Sequence, residues 1–208
     1  MSKRIVALVG CFLALTACSK EKAESDVFDR VPTVDEWQIV APAEMTETQK
    51  AQQELCLTAV NAMAAETLGE LEAALEGGDP AEAIAVCRDK APAIADHIAT
   101  QYGLKIGRTS FKLRNPANVP PEWADELVAE RADEPAFLVG PNGELGALLP
   151  IRLKAECQMC HGPVDTIDAE ILAAVAENYP DDQAVGFVEG DLRGWFWVQA
   201  PPGQTEES

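Results

Sequence analysis

From Thr46 to Glu76 the chain is built largely of Ala, Glu, Gln and Leu, all strong helix formers. Its apolar positions Leu55, Val60, Met63, Leu68, Leu71 and Leu75 approximate one stripe, which predicts a long amphipathic helix. Gly77-Gly78-Asp79-Pro80 stops that helix and starts a second, with Asp79 as N-cap and Pro80 at the first helical position. The second helix should run to Tyr102 and end at Gly103, kinked at Pro92, whose ring removes an amide donor.

Beyond Gly103 the helical spacing gives way to short extended runs. Leu104–Ser110 predicts a strand, Asn115–Pro121 a loop and Pro121–Arg131 a short helix. Ala136–Val139 and Leu145–Leu153 predict two strands about the turn Gly140-Pro141-Asn142-Gly143. Asp168–Asn178 has helical character. Gly186–Val188 and Trp195–Val198 predict a second hairpin about Glu189–Gly194. The expected class is α+β: an N-terminal helical hairpin, then a small antiparallel sheet with flanking helices.

The N-terminus has a different character. Lys3 and Arg4 precede an almost wholly apolar run from Ile5 to Leu15, and Leu15-Thr16-Ala17-Cys18 closes it. The run is an export signal, too short to span a bilayer. Its final cysteine resembles the lipidated residue of bacterial lipoproteins, so Cys18 is the expected lipid anchor. Ser19, rather than an acid, follows it, which favours the outer membrane on its periplasmic side. The expected organisation is a signal peptide over 1–17, a tether over 18–45, one domain over 46–200 and a polar tail over 201–208.

The full chain carries 16 basic and 35 acidic residues, a net charge of −19. Loss of residues 1–17 takes away Lys3 and Arg4 and no acid, moving the charge from −19 to −21. Such a surface repels phosphate backbones, so nucleic acid is excluded as a partner.

The chemistry is concentrated at Cys157-Gln158-Met159-Cys160-His161, the C-x-x-C-H pattern of covalent haem attachment. Two thiols at this spacing can add to the two vinyl groups of a porphyrin, and the next residue then faces the iron. The pattern implies one haem c, with Cys157 and Cys160 as thioether residues and His161 as proximal iron ligand. With six cysteines and two histidines, a shuffled chain would show it roughly twice in a thousand cases, so chance is a poor account. A thioredoxin-like C-x-x-C would need a βαβ context, and a zinc site a second ligand pair; neither is present in the sequence.

The sixth iron ligand is less constrained. His97, Met45, Met63, Cys56 and Cys87 remain besides Cys18, whereas Met159 lies between the attachment cysteines and cannot reach the opposite face. A disulfide does not account for Cys56 and Cys87. In a hairpin turning near Gly78 their levels differ by about 20 Å, and a disulfide needs Cα atoms within about 7 Å. One of them can be buried and inert, or an iron ligand as thiolate.

Four groups of residues resemble one family. They are Ala83-Ile84 with Cys87, Ala91-Pro92 and Ile94-Ala95; Ile106–Ser110 with Lys112–Pro116, Asn118, Pro120 and Trp123; Pro150-Ile151 before Cys157–Gly162; and Tyr179-Pro180, Asp182, Ala184, Gly186, Gly190-Asp191 and Arg193-Gly194. Together, over about residues 50 to 200, they are similar to the PAS-like c-type haem domain family of exported proteins and outer receptor domains. The resemblance implies a PAS-like fold with haem against the sheet, and a thiolate opposite the histidine. On the Ala-Ile-x-x-Cys motif that thiolate is Cys87, with His97 as the rival. The stretch from Trp123 to Pro150 is shorter than the family's, which would open one side of the pocket.

In so acidic a chain the cluster Arg108, Lys112 and Arg114, together with Arg193, supplies candidates for the haem propionates. The alternative is pairing with acids inside the fold. Trp123, Trp195, Phe196 and Trp197 are expected in the core rather than at a cofactor, although Trp195 and Trp197 share a strand face that could wall a porphyrin. The expected function is a redox or gas-sensing module reporting to a partner; the alternative is a membrane-tethered, low-potential electron-transfer cytochrome. No nucleophile, base and orienter set is visible, so an enzyme is not expected.

Overall fold

A computed structural model describes residues 37–78 and 80–203; Cys18 and the Asp79 cap lie outside them. Helix α1 (Glu47–Glu76) begins in a capping box: Thr46 Oγ accepts from the Gln49 amide, and the Gln49 side chain accepts from the Thr46 amide. Its N-terminal half buries Cys56, Ala59, Val60 and Met63, an i, i+3, i+4, i+7 stripe. The C-terminal half buries Ala74 against Ala83 and Val86.

The return arm of the hairpin is α2 (Pro80–Ala85), a π-turn (Val86–Lys90) and α3 (Ala91–Tyr102). Pro92 is the physical reason for the π-turn. It cannot donate, and its ring would crowd the carbonyl four residues back, so the backbone widens just before it and the Ala91 amide reaches Val86 O. The expected kink therefore takes the form of a wide turn, and Cys87 lies in it. Gly103, at φ 66°, closes α3 in the left-handed conformation that glycine adopts without penalty.

The sheet has five strands: β1 (Gln38–Ile39), β2 (Lys105–Thr109), β3 (Ala136–Val139), β4 (Leu145–Arg152) and β5 (Leu192–Ala200). Their order is β1-β3-β4-β5-β2, and every pairing is antiparallel. Helix α4 (Asp125–Ala129), the short α5 (Gln158–His161) and α6 (Ala169–Asn178) complete the α+β, PAS-like architecture. One sheet face, with Leu145, Ala147, Leu149 and Val198, packs on α1 and α3. The other, with Leu138, Leu148 and Trp195, packs on Trp123, Leu127 and Val128.

Two expectations change. Residues 37–45, assigned to the tether, belong to the folded unit: β1 pairs with β3, Trp37 stacks on Trp123 at 5.4 Å, and Met45 is buried. The second hairpin does not form. Gly186 and Phe187 donate instead to the carbonyls of Gly162 and His161, and Val188–Asp191 make the turn into β5. Trp195 takes the core position expected of it: it is fully buried and donates to Ala132 O at 2.7 Å.

Candidate functional site

The C-x-x-C-H segment leaves β4 through a single 3-10 turn (Ala155–Cys157) and enters α5, a one-turn helix too short to hold itself. Arg114 holds it from outside. Its Nε and Nη2 donate to Asp182 Oδ1 at 3.1 Å and Oδ2 at 3.0 Å, and Nη2 also donates to Cys160 O at 2.6 Å. Asp182 Oδ1 accepts from the Ala184 amide at 2.9 Å. The Ala184 carbonyl in turn accepts from His161 Nδ1 at 2.7 Å. With the proton on Nδ1, the lone pair of the ring is on Nε2 and available to a metal.

Burial is the main force that pushes His161 well below its usual pKa of 6.5; Arg193 and Arg114 follow, and the Ala184 bond opposes them. The imidazole is therefore neutral at neutral pH, the form that ligates. Burial also raises the Cys157 and Cys160 thiols, with Arg114 pulling Cys160 the other way. Cys87 belongs to the same group, close enough that a thiolate there would raise the pKa of Cys157, Cys160, Tyr179 and Arg193. The π-turn that carries it is tied to the end of α6, where Arg88 hydrogen-bonds the Asn178 side chain and Ile84 packs on Tyr179.

Arg193 sits where β2 and β5 converge. A Cβ on Gly194 would lie 2.3 Å from Thr109 O, so only glycine lets the strands close there. Arg193 Nη1 donates to Ser110 Oγ at 2.9 Å and to Lys112 O at 3.2 Å, while its Nε is buried without a partner. Burial and the neighbouring Arg114 push its pKa down to about 10. Arg108 is half-buried, and its side chain has no ion pair or hydrogen bond among the described residues. Three arginines thus bear on His161, and Asp182 is the carboxylate among them, already committed to Arg114.

The remaining candidates separate. Lys112 Nζ donates to Val185 O at 3.0 Å and lies over the Phe187 ring, so it braces the 185–187 segment. His97 is exposed on α3 and is not brought to the crevice. Cys56 is fully buried in the α1–sheet core and free, as Cys87 is free; Met45 lies in that same core. Beside β2 a cleft of about 170 Å³ is lined by Met63, Ala91, Pro92, Gly107, Arg108 and Trp197. Gly107 shapes it, because a Cβ there would meet the Trp197 ring at 2.5 Å. The space beside the short 123–150 stretch, about 320 Å³ between Trp37, Glu122, Trp123, Glu144 and Gln199, contains none of these crevice residues.

Sequence reasoning grouped Tyr179, Asp182 and Ala184 in one motif without giving them roles. The signal available is an acid and a small residue downstream of a histidine that needs an orienting partner. The contacts of Asp182 and Ala184 with Arg114 and His161 span 23 to 70 residues, which no local pattern reports.

A PAS-like α+β domain with one oriented imidazole, three nearby thiols and surplus buried arginine is the class these features define. The chain belongs to the Tll0287-like family, whose model matches residues 41–201. The crystal structure of the cyanobacterial heme-protein Tll0287 is similar to it at 22% identity and a TM-score of 0.54, covering 77% of this chain and 100% of that one. At that identity the likeness shows the fold. No curated protein matches the chain.

Proposed function

We propose that this chain binds one haem covalently, through thioethers at Cys157 and Cys160, with His161 as proximal iron ligand and Cys87 opposite it. The observation that carries this is the charge balance around His161. Arg193, Arg114 and Arg108 each disfavour a proton on it, Asp182 is committed to Arg114, and Arg193 Nε is buried unpaired. A porphyrin brings two carboxylates, and the two arginines with spare donors, Arg108 and Arg193, would hold them. Among the described residues no three His, Cys, Asp or Glu side chains converge on a bare ion, which disfavours zinc. Bound there, the iron would supply a one-electron couple and a site for diatomic gases. The solved family relative is itself a heme-protein.

The role that fits best is a redox or gas-sensing module that reports to a partner. It would be held by a lipid on Cys18 at the periplasmic side of a membrane, most naturally the outer one, and it is not an enzyme. A thiolate ligand stabilises ferric iron and lowers the potential. The second reading, a tethered low-potential electron carrier, draws on the buried, neutral His161.

Purification from a host competent in cytochrome maturation tests the cofactor. The expected product is coloured and heavier by one haem; a colourless protein with free or mutually bridged Cys157 and Cys160 ends the reading. Potentiometric titration with and without CO and NO then separates the roles. Rapid gas binding with loss of the distal ligand supports sensing, and reversible cycling without gas binding supports electron transfer.

A further inference from the structure

Three of the six exposed large apolar side chains among the described residues flank one pair of backbone hydrogen bonds. These bonds run from Gly186 N to Gly162 O at 2.8 Å and from Phe187 N to His161 O at 3.0 Å. Met159, at 42% exposure, lies two residues before His161; Val164, at 53%, two residues after Gly162; Val188, at 51%, one residue after Phe187. The other three, Ile39, Leu57 and Val119, are scattered over β1, α1 and the 115–121 loop. Neighbouring apolar side chains of these segments, Ile167, Ala184 and Phe187, are buried, so the fold had room to cover apolar groups here and left three outside.

Acids border each of the three. Glu156 lies one helical turn before Met159, Asp165 follows Val164 and Glu189 follows Val188; all three are exposed. Lys154 stands 3.7 Å from Glu156, and neither Asp165 nor Glu189 has an ion-pair partner among the described residues. An apolar centre with a charged rim is the anatomy of a transient protein interface, and the sign of the rim selects the partner.

We propose that the surface formed by Met159, Val164 and Val188, rimmed by Glu156, Asp165 and Glu189, docks a protein that presents an apolar patch ringed by lysine or arginine. The partner class follows from charge complementarity, locally and over a chain of net charge −19. An anionic membrane surface is disfavoured by the same charge. The surface goes beyond the haem reading, although it would be the outer face of the haem attachment turn. Association should be fast, weak and salt-sensitive, as steering by a charged rim makes it.

Mitochondrial cytochrome c, a lysine-rich protein, serves as the probe against the full haem-loaded chain. The affinity should fall at least tenfold between about 20 and 200 mM salt, as the screening length shortens. Zero-length carbodiimide cross-linking should join probe lysines to Glu156, Asp165 and Glu189. The triple change Glu156→Lys, Asp165→Lys and Glu189→Lys should weaken binding at least tenfold. The same charge change on the exposed face of α1, Glu54→Lys, Glu66→Lys and Glu72→Lys, should weaken it less than threefold. Val164→Thr with Val188→Thr should weaken it several-fold with the salt slope unchanged. Equal losses in the two triple variants, or cross-links spread over α1, would overturn the proposal in favour of net charge alone. The visible spectrum of each preparation reports the haem independently, so failure of docking and failure of the cofactor reading are told apart.

Discussion

Cys56 and Cys87 are both free thiols on the two arms of one helical hairpin, yet they occupy opposite environments. Cys56 lies on the sheet side of α1 among Ala59, Val60, Met63 and Ile98, with no exposure. Burial there pushes its thiol up to about 11, which makes it an apolar core residue. Cys87 is half-buried in a π-turn, near two further thiols, a tyrosine and an arginine. The first region is dry and close to saturated. The second concentrates buried polarity, including an unpaired Arg193 Nε. Polarity of that kind lowers stability unless a ligand or a network compensates it, and for that reason it marks the site.

The largest break in this comparison is at the attachment residues. Cys157→Ala with Cys160→Ala should abolish covalent haem, read by mass and colour, whereas Cys56→Ala should leave attachment intact. Next is the strut of the crevice. The Arg114 and Asp182 side chains are each only 9% exposed. Asp182→Ala should cost about 3–5 kcal/mol in urea unfolding, because a buried guanidinium loses its counter-charge.

Cys87→Ser should change the ferric absorption spectrum, and Cys56→Ser should not; an unchanged spectrum in Cys87→Ser removes the thiolate assignment, with His97→Ala as the parallel control. A smaller effect is titration of the dry side. A thiol raised from 9.0 to about 11 contributes stability that is whole below pH 9 and is lost as pH rises through about 11. Unfolding free energy should therefore decline above pH 9 in the parent, and Cys56→Ala should flatten that part of the curve. Smallest of all, Asp133→Asn removes the exposed pair with Arg152, 47% and 58% exposed, and should change stability by less than about 1 kcal/mol.

Much of the fold is legible because its signals are local. The capping box at Thr46, the stop at Gly103 and the turn Gly140–Gly143 are short-range patterns, and the elements they bound form where the spacing places them. The Gly186–Val188 run misleads for the same local reason. It has strand-like composition, but its amides are spent on His161 and Gly162, a contact outside any window. The arginines illustrate the limit differently. Arg108, Arg114 and Arg193 read alike in sequence, yet Arg114 is clamped to Asp182 while Arg193 keeps a buried nitrogen unpaired.

The order of residues alone determined the helical hairpin, the positions of β2, β3, β4 and β5, and the C-x-x-C-H pentapeptide, since each depends on neighbours a few positions apart. The tertiary structure decided which thiol stands beside that pentapeptide, which carbonyl orients His161 and which arginine still has donors to give. Those pairings join segments up to 83 residues apart along the chain. They exist only once the helices and the sheet have closed the intervening loops, and no propensity of a single residue encodes that closure.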